Sequence, residues 1–140
     1  MDQIGEQGNG LSVSRQLYKG DEALNESAPL KVGDRITVRL TVKADRDMDF
    51  VQIKDDRAAC MEPLQAVSGF RWGNGLGYYQ ATKDASTQFF IDQMRKGTYV
   101  IEYQVYVNRT GEYQAGIATV QSAYAPEFGG HTGGYRVMVE

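Results

Sequence analysis

An all-β chain, folded as a two-sheet antiparallel β-sandwich, is what this sequence predicts, and three observations carry the prediction. Apolar and polar residues alternate along several stretches, the period of a strand with one buried face. Turn formers, among them 16 glycines, punctuate those stretches at the spacing of an all-β domain. No segment carries a helical pattern longer than a turn or two. A chain of 140 residues suits one domain with an apolar core of its own.

The longest alternation lies between Lys96 and Gly116. Tyr99, Ile101, Tyr103, Val105 and Val107 interleave with Val100, Glu102, Gln104 and Tyr106, between turn formers at Lys96–Gly97 and at Asn108 to Gly111. This predicts a long strand, paired as a hairpin with a second strand from Glu112, at the centre of the fold.

The other elements follow in order. Residues 1–10 are polar and glycine-rich and read as a linker or an edge; residues 11–140 read as the sandwich domain. Leu11, Val13 and Leu17 give a first strand ending near Tyr18, followed by a charged loop to Leu30 and a turn at Lys31 to Asp34. Ile36, Val38, Leu40 and Val42 against Thr37, Arg39, Thr41 and Lys43 form the clearest alternation. Asp45 to Asp47 turns the chain into a short strand with Phe50, Val51 and Ile53, which stops at Asp55. RAACMEP reads as one helical turn before Pro63, and GFRWGNGLG as a glycine-rich loop carrying Phe70 and Trp72. Tyr78 and Tyr79 open another strand, Lys83 to Ser86 turns it, and Thr87 to Asp92 is its partner. SAYAPEFGGHTGG reads as irregular, and Tyr135, Val137 and Val139 make a last strand. The count is about eight strands.

Charge and composition exclude several functions. The net charge is −3 and the 15 basic residues are scattered, which disfavours nucleic acid as a partner. Cys60 is the single cysteine, so no internal disulfide forms and the redox compartment stays open. No apolar run has the length of a membrane span, and MDQIGEQGNG has neither the basic flank nor the apolar core of a signal peptide, so no membrane contact by this domain is expected.

Candidate chemistry is thin. A Ser or Cys nucleophile needs an oriented base, and the lone imidazole, His131, reads as an exposed residue of a glycine loop. One Cys and one His do not make a zinc site. Asp45, Asp47 and Asp49, with Asp56 at the twelfth position, share the spacing of a calcium loop. Phe50 replaces the required glycine and FVQIK reads as strand, which favours a carboxylate-rich turn. Asp55 with Asp56, or Glu112 with Glu127, would serve a glycosidase only inside one cleft. Trp72, Tyr78 and Tyr79 could form an aromatic platform for sugar rings, although capping of the core is the plainer reading. Asn25 to Ser27 and Asn108 to Thr110 match the glycosylation sequon but also read as turns, and GNGLG lacks the lysine and helix of a phosphate loop. The residues alone therefore stop at an antiparallel β domain without a recognisable active site, with no catalytic residue, metal or cofactor expected; a hydrolase would need a cleft that joins two carboxylates.

Four segments, LKVGDRITVRLTVKADRDMDFVQIKD, RWGNGLGYYQATKDASTQFFID, KGTYVIEYQVYVNRTGEY and SAYAPEFGGHT, together resemble the C-terminal domain of bacterial α2-macroglobulins, particularly the Bacteroides-type members. KGTY at the head of the long strand and YAPE at Tyr124 to Glu127 are the most distinctive pieces. The resemblance implies a macroglobulin-type sandwich, immunoglobulin- or fibronectin III-like, within a cell-envelope protein, periplasmic or outer-surface, that traps endopeptidases. It implies a non-catalytic module that packs against neighbouring domains of the parent chain and shields a thioester there from water. Tyr124 is the candidate for that shielding, with Pro126, Glu127 and Phe128 beside it at the interface; a packed phenol ring excludes water while its hydroxyl finds a polar partner. The thioester motif CxEQ is absent. Cys60, Met61 and Glu62 are followed by Pro63, which has no side-chain amide to form the bond. The alternative from a different class is a cell-surface carbohydrate-binding or adhesion module using Trp72, Tyr78 and Tyr79.

Overall fold

The computed structural model describes residues 7–20, 22–24, 29–64, 69–73, 76–83, 85–123 and 129–140. Fourteen strands and no helix occur among them: β1 (Gln7–Asn9), β2 (Leu11–Lys19), β3 (Glu22–Ala23), β4 (Arg35–Ala44), β5 (Met48–Asp56), β6 (Met61–Pro63), β7 (Gly69–Gly73), β8 (Leu76–Thr82), β9 (Ser86–Met94), β10 (Gly97–Val107), β11 (Gly111–Ala115), β12 (Ala118–Ser122), β13 (Gly129–His131) and β14 (Tyr135–Val139). They form a seven-stranded sheet in the order β1-β13-β12-β5-β9-β8-β7 and a five-stranded sheet in the order β3-β2-β4-β10-β6, with a two-stranded ribbon of β11 and β14. All named strand pairs are antiparallel.

The predicted sandwich is therefore present, built on the alternation read from sequence. In β4, Ile36, Val38, Leu40 and Val42 are buried while their neighbours are partly or fully exposed. On β10, Ile101, Tyr103 and Val105 lie in register with Leu40, Val38 and Ile36, so one apolar face runs across both strands. The seven-stranded sheet answers with Val51, Ile53, Phe89, Ile91 and Val120. The layers meet where the rings of Phe89 and Tyr103 stand 5.9 Å apart. Each fully buried aliphatic or aromatic side chain contributes roughly 1.5–3 kcal/mol.

Several expectations are corrected. The long strand is β10, but its partner is not the segment from Glu112. Both edges of β10 are taken, by β4 along almost its whole length and by β6 at its end, so β11 leaves the sheet and pairs with β14. No helical turn precedes Pro63. Ala59 and Cys60 form a tight turn, and Pro63 lies on edge strand β6, where a missing N–H is tolerated. The stretch GFRWGNGLG is not a loop: β7 and β8 pair from Gly69↔Gln80 to Gly73↔Leu76, and the two residues between them are Asn74 and Gly75, the pair that two-residue hairpins favour. Within SAYAPEFGGHTGG, Gly129–His131 form β13, held between β1 and β12. Gln7–Asn9, inside the stretch read as a linker, is thus an edge strand. Gly10 then carries the chain from one sheet to the other at φ 80°, a conformation that favours glycine, and its carbonyl accepts from Asp45 N–H at 3.0 Å.

Candidate functional site

Tyr124, Pro126, Glu127 and Phe128 lie outside the described residues, whereas the frame that holds their segment is described. The chain leaves β12 at Ser122, and Ala123 N–H donates to the Phe50 carbonyl at 2.8 Å. It returns at Gly129, the register partner of Gln121. A Cβ on Gly129 would stand 2.7 Å from the Val120 carbonyl oxygen, so a side chain there would push the returning strand away.

Phe50 itself is unusual. It is a bulky residue at φ 55° and 45 % exposed; such a conformation is uncommon outside glycine and costs of order 1–3 kcal/mol. The burial phase of β5 shifts at this point: Met48 and Val51 are buried with Asp49 and Phe50 exposed between them. On β9, Ile91 and Met94 are buried around exposed Asp92 and Gln93. Both strands thus change face together beside the attachment of the segment starting at Tyr124.

Two of the three platform residues do not share a face. Tyr78 and Tyr79 are consecutive on β8 and face opposite ways: Tyr78 meets buried Phe89 edge-on at 5.7 Å, and Tyr79 lies 6.5 Å from the partly exposed Phe90. Trp72 is the register partner of Gly77.

The acidic residues are dispersed. Asp45 accepts from Arg46 at 2.8 Å, and that bond holds its carboxyl below the usual range. Asp47 caps Lys96 N–H at 2.7 Å. Asp49 and Asp56 sit within strand β5. No group of three metal-ligating side chains occurs among the described residues. Asp55 points inward and is buried, while Asp56 is half-exposed 4.0 Å from Lys54, so these neighbours share no cleft. Glu112 lies 3.5 Å from Arg136, and Glu127 is outside the described residues. His131 is on a strand and not in a loop, its Nδ1 3.1 Å from the Thr132 carbonyl. Cys60 is buried, and burial pushes its thiol up, away from reactivity. Asn108 of the second sequon uses its side-chain amide on Glu62 at 3.1 Å; residues 25–27 of the first lie outside the described residues.

The densest polar cluster was not foreseen. Arg15 occupies the inward phase of β2, in register with fully buried Leu40. It ion-pairs with Asp55, and both side chains are almost wholly withdrawn from water. Its other terminal nitrogen donates to the carbonyls of Gly116 at 2.7 Å and Gly133 at 3.0 Å. The guanidinium lies over the Tyr135 ring, 4.6 Å from the centroid. The Tyr103 hydroxyl donates to the second oxygen of Asp55, so both carboxylate oxygens are engaged. Burial pushes the Asp55 carboxyl up, opposed by Arg15 and the Tyr103 hydroxyl. Burial, with Asp55 nearby, drives the Tyr103 and Tyr135 phenols well above their ordinary value. Arg15 and Asp55 break the apolar phases 11-13-15-17 and 51-53-55, a signal legible in the sequence. Both terminal nitrogens of Arg15, both oxygens of Asp55 and the Tyr103 hydroxyl are engaged inside the fold, an arrangement suited to holding three sheets together.

A family model for the bacterial alpha-2-macroglobulin MG10 domain matches residues 10–127. The chain belongs to that family. Among solved structures, Salmonella alpha-2-macroglobulin reacted with methylamine matches this MG10 domain with a TM-score of 0.78 at 20 % identity, over 99 % of this chain and 10 % of that one. Native alpha-2-macroglobulin from Escherichia coli, spanning domain MG7 to the C-terminus, matches with a TM-score of 0.79 at 17 % identity, over 96 % of this chain and 24 % of that one. Circularly permutated Ras protein 2 of Dictyostelium discoideum is 28 % identical over 138 residues, 94 % of this chain and 4 % of that protein. The MG10 domain thus spans a quarter or less of each of these three chains. No helix among its described residues is long and apolar enough to cross a membrane.

Proposed function

We propose that this MG10 domain is a non-catalytic module of an alpha-2-macroglobulin-like, protease-trapping protein of the cell envelope, periplasmic or outer-surface. It works by packing against neighbouring domains of its own parent chain. The observation that carries this reading is the family match over residues 10–127 in a chain that corresponds to a tenth of the Salmonella protein. A domain so placed meets other domains before it meets anything else, and its target endopeptidase is reached only through the parent. The commitment of Arg15, Asp55 and Tyr103 to internal contacts supports a passive role.

Within this reading, Tyr124 and its neighbours Pro126, Glu127 and Phe128 face the thioester-bearing domain and keep water from the acyl group. The Phe50 and Gly129 attachments hold that segment's two ends. Cys60 takes no part, because Pro63 stands where the thioester glutamine would be. The test is Tyr124→Gly in a full-length, thioester-containing parent, with thiol release and methylamine uptake followed in time. Faster uptake and a shorter thioester lifetime are expected; unchanged kinetics remove the shielding role.

A further inference from the structure

The chain passes from the ribbon into the seven-stranded sheet at Gly116 and Ile117, between β11 and β12, and returns to the ribbon across Thr132 to Gly134, between β13 and β14. The two crossings lie side by side: Thr132 N–H donates to the Ala118 carbonyl at 2.9 Å, and Ala118 N–H to Thr132 Oγ1 at 3.0 Å. Neither has slack. A Cβ on Gly116 would stand 2.7 Å from Asp56 Cβ, and one on Gly134 would stand 2.8 Å from the Ala115 carbonyl oxygen. A single nitrogen of Arg15 donates to a carbonyl on each crossing, Gly116 and Gly133, and the same guanidinium covers Tyr135 at the start of β14.

The ribbon is less deeply buried than the sheets. Of its ten residues Ala115, Val137 and Val139 are buried and Tyr113 and Tyr135 pack partly buried against the core, whereas β4, of equal length, buries Ile36, Val38, Leu40, Val42 and Ala44. Its far end is tied by backbone bonds with Leu30, one donated to Met138 at 2.9 Å and one received from Glu140 at 2.8 Å. With few buried side chains and one such clip, a segment opens more readily than the sheets it rests on.

We propose that Arg15 is the latch of a conformational strap: its guanidinium holds the β11–β14 ribbon against the sandwich, and the ribbon opens as a unit without the two sheets when the fork of hydrogen bonds is lost. Lysine at position 15 keeps the charge opposite Asp55 but not the planar fork that reaches both carbonyls. The latch is therefore separable from the ion pair.

The experiment is hydrogen exchange, read by mass spectrometry on the full-length protein that carries the domain, for the natural sequence, Arg15→Lys and Arg15→Met. In Arg15→Lys, amides of β11 and β14 exchange about tenfold faster or more, as expected for lost charge-assisted bonds, while those of β4 and β10 keep their rates. In Arg15→Met the ribbon again exchanges faster than the sheets, beyond any change common to all strands. Equal acceleration of ribbon and sheets in both variants, or an unaltered ribbon in Arg15→Lys, overturns the proposal.

Discussion

Where β4 and β10 face β5 and β9, Leu40, Ile53 and Phe89 are each fully withdrawn from water with no polar atom in their side chains, whereas directly across from Leu40 the inward residue of β2 is Arg15, ion-paired to Asp55. The two regions of one interior are held by different physics. The apolar region is non-directional, and its contribution scales with area removed from water. The charged region contributes little net stability, because desolvating two ions offsets most of their attraction. What it adds is direction: a guanidinium, a carboxylate, a phenol and two carbonyls fit together in one arrangement of the three sheets. The surfaces that an MG10 domain offers its neighbours depend on that arrangement.

The difference shows most strongly in what single substitutions do. Asp55→Ala leaves the Arg15 cation buried without its partner and is expected to cost about 3–5 kcal/mol in urea unfolding of the 140-residue chain. Leu40→Ala, in the apolar region, is expected to cost a comparable 2–5 kcal/mol through lost burial and a cavity, roughly; removing a neighbour does not restore it, since no charge is stranded.

Tyr103→Phe probes the same knot more gently. It leaves one oxygen of Asp55 without its hydroxyl donor, and a loss of about 1–3 kcal/mol is expected. pH separates the two regions as well. The Tyr103 and Tyr135 phenols are raised in the folded state, so above pH ~10, where an unfolded tyrosine sheds its proton, the folded state holds on to protons that the unfolded state releases. Their contribution is complete below about pH 10 and is lost as pH rises beyond it. Phenolate absorbance should show two of the nine tyrosines titrating only as the protein unfolds, and Tyr103→Phe should flatten the alkaline loss of stability. The smallest effect is expected on the outer face, where Gln93→Thr on β9 should change stability by less than about 0.5 kcal/mol, with unaltered alkaline behaviour.

Much of the sandwich was legible because a strand with one buried face writes its period directly into the chain. Ile36 to Val42 and Ile101 to Val107 needed no knowledge of their partners. Pairing was less legible. The β10–β11 hairpin was the natural reading of neighbouring strands, but β6, three residues long and carrying Pro63, claims the edge that β11 would have used. Asn74-Gly75 did signal the β7–β8 hairpin, and glycine density hid it. The charged knot was half legible. Arg15 and Asp55 stand out as ionisable residues in apolar phases, while their meeting depends on two sheets stacking and on carbonyls more than a hundred residues away from Arg15. No local pattern encodes such a contact.

A double-mutant cycle between Arg15 and Asp55, measured by urea unfolding, tests the central claim most directly. Arg15→Met and Asp55→Leu should each be strongly destabilising alone, and together should cost less than the sum of the two by about 1–3 kcal/mol. If the two losses simply add to within about 0.5 kcal/mol, the pair is not coupled and the charged knot does not join the sheets.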